Sequence, residues 1–298
     1  MEWKGIRGQV LNSVLMKRYT SMKVGGPARH MVYPADEADL STVLGIARHE
    51  GIGCRFLGNG TNIIVADKGL NEAIIRITRL RRMHVRKTAE GAVVEVSGGV
   101  SLARLIRACA DRELSGMGKL YGIPGTVAGA IKMNAGSFGV WISDHLRSVT
   151  CMSETGRIDQ RSKEACGFGY RTSAFTRSEC IVSAVFDLPR GDTAEIRKEM
   201  EYVWGERLKR HPMELPSSGS IFKNSSGRPS WEYIDTAGLR GFCIGDACVS
   251  EKHANFIVNR GNATAADIER LISKVTERVY ERTGVVMETE VEFWGSDG

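Results

Sequence analysis

No stretch of this chain stays apolar for long. The longest runs, such as Ile63-Ile64-Val65-Ala66, are far too short to cross a bilayer, and the opening Met1-Glu2-Trp3-Lys4-Gly5 has no signal-peptide h-region. A cytoplasmic protein with no membrane partner is therefore expected. The seven cysteines (Cys54, Cys109, Cys151, Cys166, Cys180, Cys243, Cys248) form no C-x-x-C pair. Most sit in apolar surroundings, so buried reduced thiols are expected. Cys243 and Cys248 are close enough in sequence to be spatial neighbours, but no histidine spacing accompanies them, and no metal site is expected. Gly58-Asn59-Gly60 lacks the third glycine of G-x-G-x-x-G, and no G-x-x-x-x-G-K-[ST] occurs, so neither a Rossmann fingerprint nor a P-loop is present. Internal repeats, heptads and low-complexity tracts are also missing.

What is there suits an ordinary globular chain of two or three domains: 298 residues, 42% hydrophobic and 26% charged. A net charge of +6 favours anionic partners. The sharpest basic run, Arg79-Leu80-Arg81-Arg82-Met83-His84-Val85-Arg86-Lys87, alternates like the solvated face of a strand, and no nucleic-acid motif accompanies it.

Leu40, Val43, Leu44 and Ala47 recur at helical spacing over residues 36–50, with Gly51 placed to end the helix. Strands at 30–34 and 54–57 flank it and deliver the chain into the loop Leu57-Gly58-Asn59-Gly60-Thr61-Asn62. Further strands are expected at 73–77, 92–96, 149–152 and 181–186. Ser101 caps a helix whose Leu102, Leu105, Ile106 and Cys109 share a face. Pro189-Arg190-Gly191-Asp192 suggests a domain boundary, followed by a helix over 194–210. A later helix carries Ile268, Leu271, Ile272, Val275 and Val279, with Thr264 and Asp267 spaced as a capping box. A closing strand alternates Val285, Met287, Thr289, Val291 and Phe293 against Val286, Glu288, Glu290 and Glu292.

One segment stands out: Gly122-Ile123-Pro124-Gly125-Thr126-Val127-Ala128-Gly129-Ala130-Ile131-Lys132-Met133-Asn134-Ala135-Gly136. Its residues are mostly small or apolar, which leaves backbone N–H groups as the main polar equipment. Two readings stand, a tight structural turn and a cradle on which a flat or phosphorylated ligand lies against main chain.

These loops join other motifs in a recognisable order. Residues 19–28, 57–62, 122–136 with Phe138-Gly139, Gly169-Tyr170-Arg171, Pro216-Ser217-Ser218-Gly219-Ser220-Ile221-Phe222-Lys223-Asn224, Val249-Ser250-Glu251-Lys252-His253-Ala254-Asn255-Phe256 and Glu288-Thr289-Glu290-Val291 resemble the UDP-N-acetylenolpyruvoylglucosamine reductase (MurB) family in its shorter, type II form. The resemblance implies an α+β chain, with a two-part FAD-binding domain of the vanillyl-alcohol-oxidase (PCMH) type over 1–75 and 76–190. A C-terminal α+β substrate-binding domain would cover 191–298, its last strand carrying a catalytic glutamate.

It also implies FAD and NADPH as cofactors, a UDP-N-acetylglucosamine enolpyruvate substrate, and no required protein or nucleic-acid partner. Gly58, Asn59, Gly60, Thr61, Asn62, Gly122, Ile123, Pro124, Gly125, Thr126, Gly129, Ala130, Asn134 and Gly136 would bind the flavin. Arg171 would hold the substrate carboxylate and stabilise an enolate-like intermediate, Ser220 would donate a proton, and Glu290 would be the third catalytic group. Lys223 is a candidate cation to assist Ser220. Tyr170, Lys223, Asn224 and His253 would face substrate, with a satisfied structural histidine as the other reading of His253.

From the residues alone, Arg171 reads as a surface arginine and the alternating Glu288, Glu290 and Glu292 as a solvated strand face. The chain departs from the family at Ser225-Ser226, where proline is usual, and at Glu292, Ala128 and Lys132. Another oxidase on the same FAD domain would be expected to lack the Ser220 and Glu290 motifs. A non-catalytic nucleotide-sugar or nucleic-acid binder would lack a flavin spectrum.

Overall fold

The β-rich runs around α1 (Glu37–His49) form a four-stranded sheet in the order Gln9–Leu15, Pro27–Tyr33, Leu70–Arg76, Cys54–Leu57. The last two strands are parallel, with Cys54 opposite Ala73. The structure, a computed structural model, describes residues 3–225 and 227–295; Ser226 of the loop after Asn224 lies outside the described residues. Asp36 caps α1 by accepting the Asp39 N–H at 2.9 Å, and Leu40, Val43, Leu44 and Ala47 are buried as their spacing requires. The buried Asp39 carboxylate accepts the N–H groups of Arg7, Gly8 and Ala35 at 2.8, 2.9 and 2.8 Å, which ties down the N-terminal segment.

A second sheet is antiparallel, ordered Ile158–Ser162, Leu146–Ser153, Glu179–Pro189, Gly91–Ser97, Met83–Lys87. Ala92, Val94 and Val96 face the core while Glu95 is exposed. The basic run supplies the edge strand, where exposed charge discourages pairing with another chain. Ser101 caps α2 (Leu102–Ala110), and the glycine-rich segment contains a short helix, α3 (Val127–Lys132), with Thr126 as its cap. Residues 189–192 lie inside this part of the molecule. Pro189 is still paired with Gly91, and the Gly191 N–H donates to the Glu113 carbonyl at 2.8 Å.

The chain divides into two compact units that interleave along the sequence. The first comprises Met1–Asn12, Arg29–Asn59 and Asn71–Gly205, and its core runs from Val32 to Met200. The second comprises Ser13–Ala28, Gly60–Leu70 and Glu206–Gly298, with a separate core built around Ile221, Phe222, Ile257, Ile268, Leu271 and Val275. The division falls within α4 (Thr193–Arg210).

In the second unit the strands Ser217–Ser220, Phe256–Asn259, Ala247–Val249 and Cys243–Ile244 form a sheet in that order, beside α5 (Ser230–Thr236) and α6 (Ala265–Thr283). The capping box on α6 is present, Thr264 and Asp267 satisfying one another's backbone N–H groups at 3.0 Å each. Asp67 adds a second cap by accepting from Ala265 N and Ala266 N at 3.0 Å each.

Two expectations are corrected here. Only Glu292–Trp294 of the closing segment is a strand, pairing in parallel with Ile63–Val65. Glu290 therefore precedes the strand instead of lying in it. The cause is a change of partner: Glu290 N donates to the Ile221 carbonyl, and two residues later Glu292 N donates to the Asn62 carbonyl. Nor are all the cysteines reduced. Cys243 and Cys248, directly opposite across the two-strand hairpin, form a disulfide, because antiparallel pairing brings their Cα atoms to 4.1 Å. Of the others, Cys109, Cys151, Cys166 and Cys180 are buried, and burial raises the Cys54 thiol to about 11 and the Cys109 thiol to about 12. Among the described residues no helix is long and apolar enough to cross a membrane.

Candidate active site

Within the first unit the two glycine loops meet. A Cβ on Gly58 would lie 2.5 Å from Thr126 Oγ1, so the first loop rests on the cap of α3. The segment is less bare than its composition suggests. Val127 N and Ala128 N donate to the carbonyls of Val100 and Gly98, Gly129 N donates to Thr126 Oγ1, and Ala130 N to the Thr126 carbonyl. What the segment still presents is the side chain of Asn134 and the bare Cα of Gly129, where a Cβ would sit in ordinary contact with Thr126 Oγ1 at 3.6 Å. Asn134 has φ +41° and is buried; its Nδ2 donates to the Gly169 carbonyl at 3.0 Å while its buried Oδ1 has no partner among the described residues. Asn134 lies just past the C-terminal end of α3, and an orphaned buried acceptor there fits a flavin, whose ring carries an N–H that seeks such a partner. Gly122 and Gly125 adopt φ +85° and +136°. The role of Gly136 is visible as a close approach: a Cβ there would lie 2.3 Å from the Trp141 ring.

The rest of the first loop belongs to the second unit. Gly60 has φ +65°, and a Cβ there would lie 2.1 Å from the Tyr19 carbonyl oxygen, so only glycine fits. Asn62 Nδ2 donates to the Glu290 carbonyl at 3.1 Å, which links the loop to the segment bearing that glutamate.

Arg171 lies in the first unit with φ +54°, at the tip of a turn closed by the Gly169–Thr172 bridge. It is half-buried, and its guanidinium carbon lies 5.5 Å from the Trp141 ring centroid and 5.6 Å from that of Tyr170. The surface-arginine reading is therefore too weak: two aromatic rings hold this cation.

Ser220 and Glu290 both belong to the second unit, on chains that run side by side. Residues 220–223 lie between two partners. On one side Ser220 pairs with Phe256, Ile221 N donates to the Asn255 carbonyl at 2.9 Å, and the Asn255 carboxamide bonds both Phe222 N and the Phe222 carbonyl, at 2.9 and 2.8 Å. On the other, Phe222 bridges to Thr289, Glu290 N donates to the Ile221 carbonyl at 2.7 Å, and Lys223 N donates to the Glu288 carbonyl at 2.8 Å. Asn255 is buried and was not singled out from sequence, although two asparagines flanking the apolar Phe256-Ile257-Val258 were a signal. The second of them, Asn259, donates to the Met22 carbonyl at 3.0 Å and accepts from Gly261 N and Ala263 N.

The remaining expected residues are engaged as follows. The Lys223 ammonium is paired with the Glu288 carboxylate, which stays exposed as the solvated reading expects. Asn224 Oδ1 accepts Ser230 N at 3.1 Å at the start of α5. His253 Nδ1 accepts Asn255 N at 3.3 Å, and its ring packs edge-on against His211, Trp231 and Phe256. Burial and Arg240 hold His253 below its usual pKa. His211, also missed from sequence, falls to about 4, chiefly through burial and then through Arg207. Both imidazoles are thus neutral near pH 7.

Known proteins resemble this chain over nearly its whole length. Residues 28–160 match the FAD binding domain model, and residues 211–294 match the model of the UDP-N-acetylenolpyruvoylglucosamine reductase C-terminal domain. The UDP-N-acetylenolpyruvoylglucosamine reductase of Carboxydothermus hydrogenoformans is 39% identical over 293 residues, covering 98% of this chain and 96% of the relative. That of Heliobacterium modesticaldum is 39% identical over 300 residues, covering 99% and 94%. The crystal structure of the Thermus caldophilus enzyme superposes with a TM-score of 0.80 at 33% identity, covering 97% of this chain and 99% of that one. A berberine bridge enzyme variant shares the fold alone, at 15% identity and a TM-score of 0.51 over 64% of this chain and 42% of its own. A PCMH-type FAD-binding fold is thus joined to a reductase C-terminal domain, and the chain belongs to the UDP-N-acetylenolpyruvoylglucosamine reductase family.

Proposed function

We propose that this protein is an NADPH-dependent flavoenzyme that reduces the enolpyruvyl ether of UDP-N-acetylglucosamine enolpyruvate to the lactyl ether of UDP-N-acetylmuramate, a cytoplasmic step in peptidoglycan precursor synthesis. The near-full-length likeness to relatives named for that reductase carries the reading. FAD, when bound, supplies the hydride chemistry. The residues proposed to hold it are those of 58–62 and 122–136, with Asn134 Oδ1 as the polar anchor. In this reading 1–75 and 76–190 form the flavin domain and 191–298 the substrate domain.

Hydride addition at the terminal enolpyruvyl carbon pushes negative charge onto the neighbouring carbon and its carboxylate. Arg171 meets that carboxylate with its planar fork and stabilises the charge as it builds. Ser220 delivers the proton to the neighbouring carbon. A free serine hydroxyl is a weak acid, so the reading gives it help from the Lys223 cation or an ordered water. Glu290 acts beside the same intermediate as the third catalytic group. Tyr170, Lys223, Asn224 and His253 contact the sugar nucleotide, and no nucleic acid, membrane or protein partner is required.

The purified protein should be yellow and should oxidise NADPH only when the enolpyruvyl sugar nucleotide is supplied. Ser220→Ala should slow reoxidation of reduced flavin by substrate roughly 10²–10⁴-fold while NADPH still reduces the flavin. A colourless protein that retains no added FAD overturns the reading, and equal loss in both half-reactions overturns the proton-donor role.

A further inference from the structure

The aromatic pair around Arg171 has an architecture of its own. Trp141 stands opposite Gly136 in a two-strand hairpin, and its backbone N–H is fixed by the Asp144 carboxylate at 2.8 Å. The six-membered part of its indole lies over the bare backbone of Gly136, in space a Cβ would fill. From that seat the ring meets Tyr170 edge-on, centroids 5.9 Å apart at 81°, and both rings lie within 6 Å of the Arg171 guanidinium carbon. The other end of the arginine is fixed as well, since its left-handed backbone sits in a turn anchored by Asn134 at the Gly169 carbonyl and by Ser173 Oγ at the Lys132 carbonyl.

We propose that Trp141 is a positioning residue for Arg171, its indole holding the guanidinium plane in the orientation that receives a carboxylate. The proposal rests on the reading of Arg171 as the carboxylate-binding group. An arginine side chain has several rotatable bonds, and each that is frozen before substrate arrives removes an ordering cost from the reaction. A ring face can do this because it attracts the planar cation without itself taking up an N–H donor. Gly136 is then explained by the hairpin: its missing side chain makes the seat for the indole.

The test uses the FAD-loaded enzyme, reduced beforehand with dithionite, and follows flavin reoxidation by the enolpyruvyl sugar nucleotide in stopped flow. Trp141→Met, which keeps apolar bulk without a π face, should slow reoxidation about 3- to 30-fold, and Trp141→Phe should recover most of the rate. In an Arg171→Ala background Trp141→Met should add less than about a twofold loss, because nothing remains to position. Melting curves and flavin absorbance check folding, and if Trp141→Met does not fold, Trp141→Phe and Trp141→Tyr compared in both backgrounds carry the same comparison. Full reoxidation by Trp141→Met, or an equal loss with and without Arg171, overturns the positioning role while leaving Arg171 in place. Unchanged reoxidation by Arg171→Ala alone overturns the reading beneath it, and this proposal with it.

Discussion

The Asn255 carboxamide replaces a missing rung of the sheet. The strand Ser217–Ser220 pairs with Phe256–Asn259 only through an irregular register, and beyond Ser220 the ladder would leave the Phe222 amide and carbonyl buried without partners. One side chain satisfies both, its oxygen accepting the amide proton and its nitrogen donating to the carbonyl. No other side chain of that size presents a donor and an acceptor in one plane. Truncation strands two buried backbone groups, each costing about 1–3 kcal/mol. Asn255→Ala should therefore lower the unfolding free energy by about 2–4 kcal/mol, seen in urea titration as a lower midpoint with unchanged slope. A loss under about 1 kcal/mol would mean that water reaches Phe222 and that Asn255 does not hold the Ser220 segment.

At the level of elements, α6 shows how a long surface helix is fastened at its start. Its first turn is satisfied twice over, internally by Thr264 and Asp267 and externally by Asp67, whose carboxylate takes the first two amides and places negative charge at the positive end of the helix dipole. Asp67 is exposed, so each contribution is modest. Asp67→Ala should cost about 1 kcal/mol by urea denaturation, and Asp67→Asn about half of that because it keeps an acceptor and loses the charge. Equal loss in both variants would assign the effect to the carboxylate charge alone, and no loss in Asp67→Asn would assign it to hydrogen bonding. The inner half of this arrangement was legible in sequence, since Thr264 and Asp267 are three apart before an apolar periodicity. The outer half was not, because Asp67 lies about two hundred residues upstream. The same distinction explains α3, hidden among glycines that read as loop, and the closing segment, whose alternation predicted one strand although its partner changes between Glu290 and Glu292. Local pattern announces an element; which chain it pairs with, and for how long, is decided by tertiary contacts.

Across the whole molecule, the ordered motifs made the family readable, whereas composition alone pointed away from the chemistry. Three alternating glutamates look like a wetted strand edge, and nothing in residue type separates Glu290 from its neighbours. Trp141 was invisible for the opposite reason, since its neighbours lie across a hairpin and in a turn distant in sequence, and Asn255 showed only as one of two asparagines flanking an apolar run. The net charge of +6, by contrast, was legible from the start and has a consequence. The proposed substrate carries a diphosphate and a carboxylate, so long-range attraction to this basic protein should raise the encounter rate. That attraction reaches about 30 Å at 0.01 M salt and about 8 Å at 0.15 M. Between these conditions kcat/KM for the sugar nucleotide should fall about 3- to 10-fold while kcat at saturation stays level, because screening weakens approach and not the chemistry of the bound complex. A flat kcat/KM would show that the positive charge lies where the substrate does not approach, and a parallel fall in kcat would place the salt-sensitive interaction in the reacting complex itself.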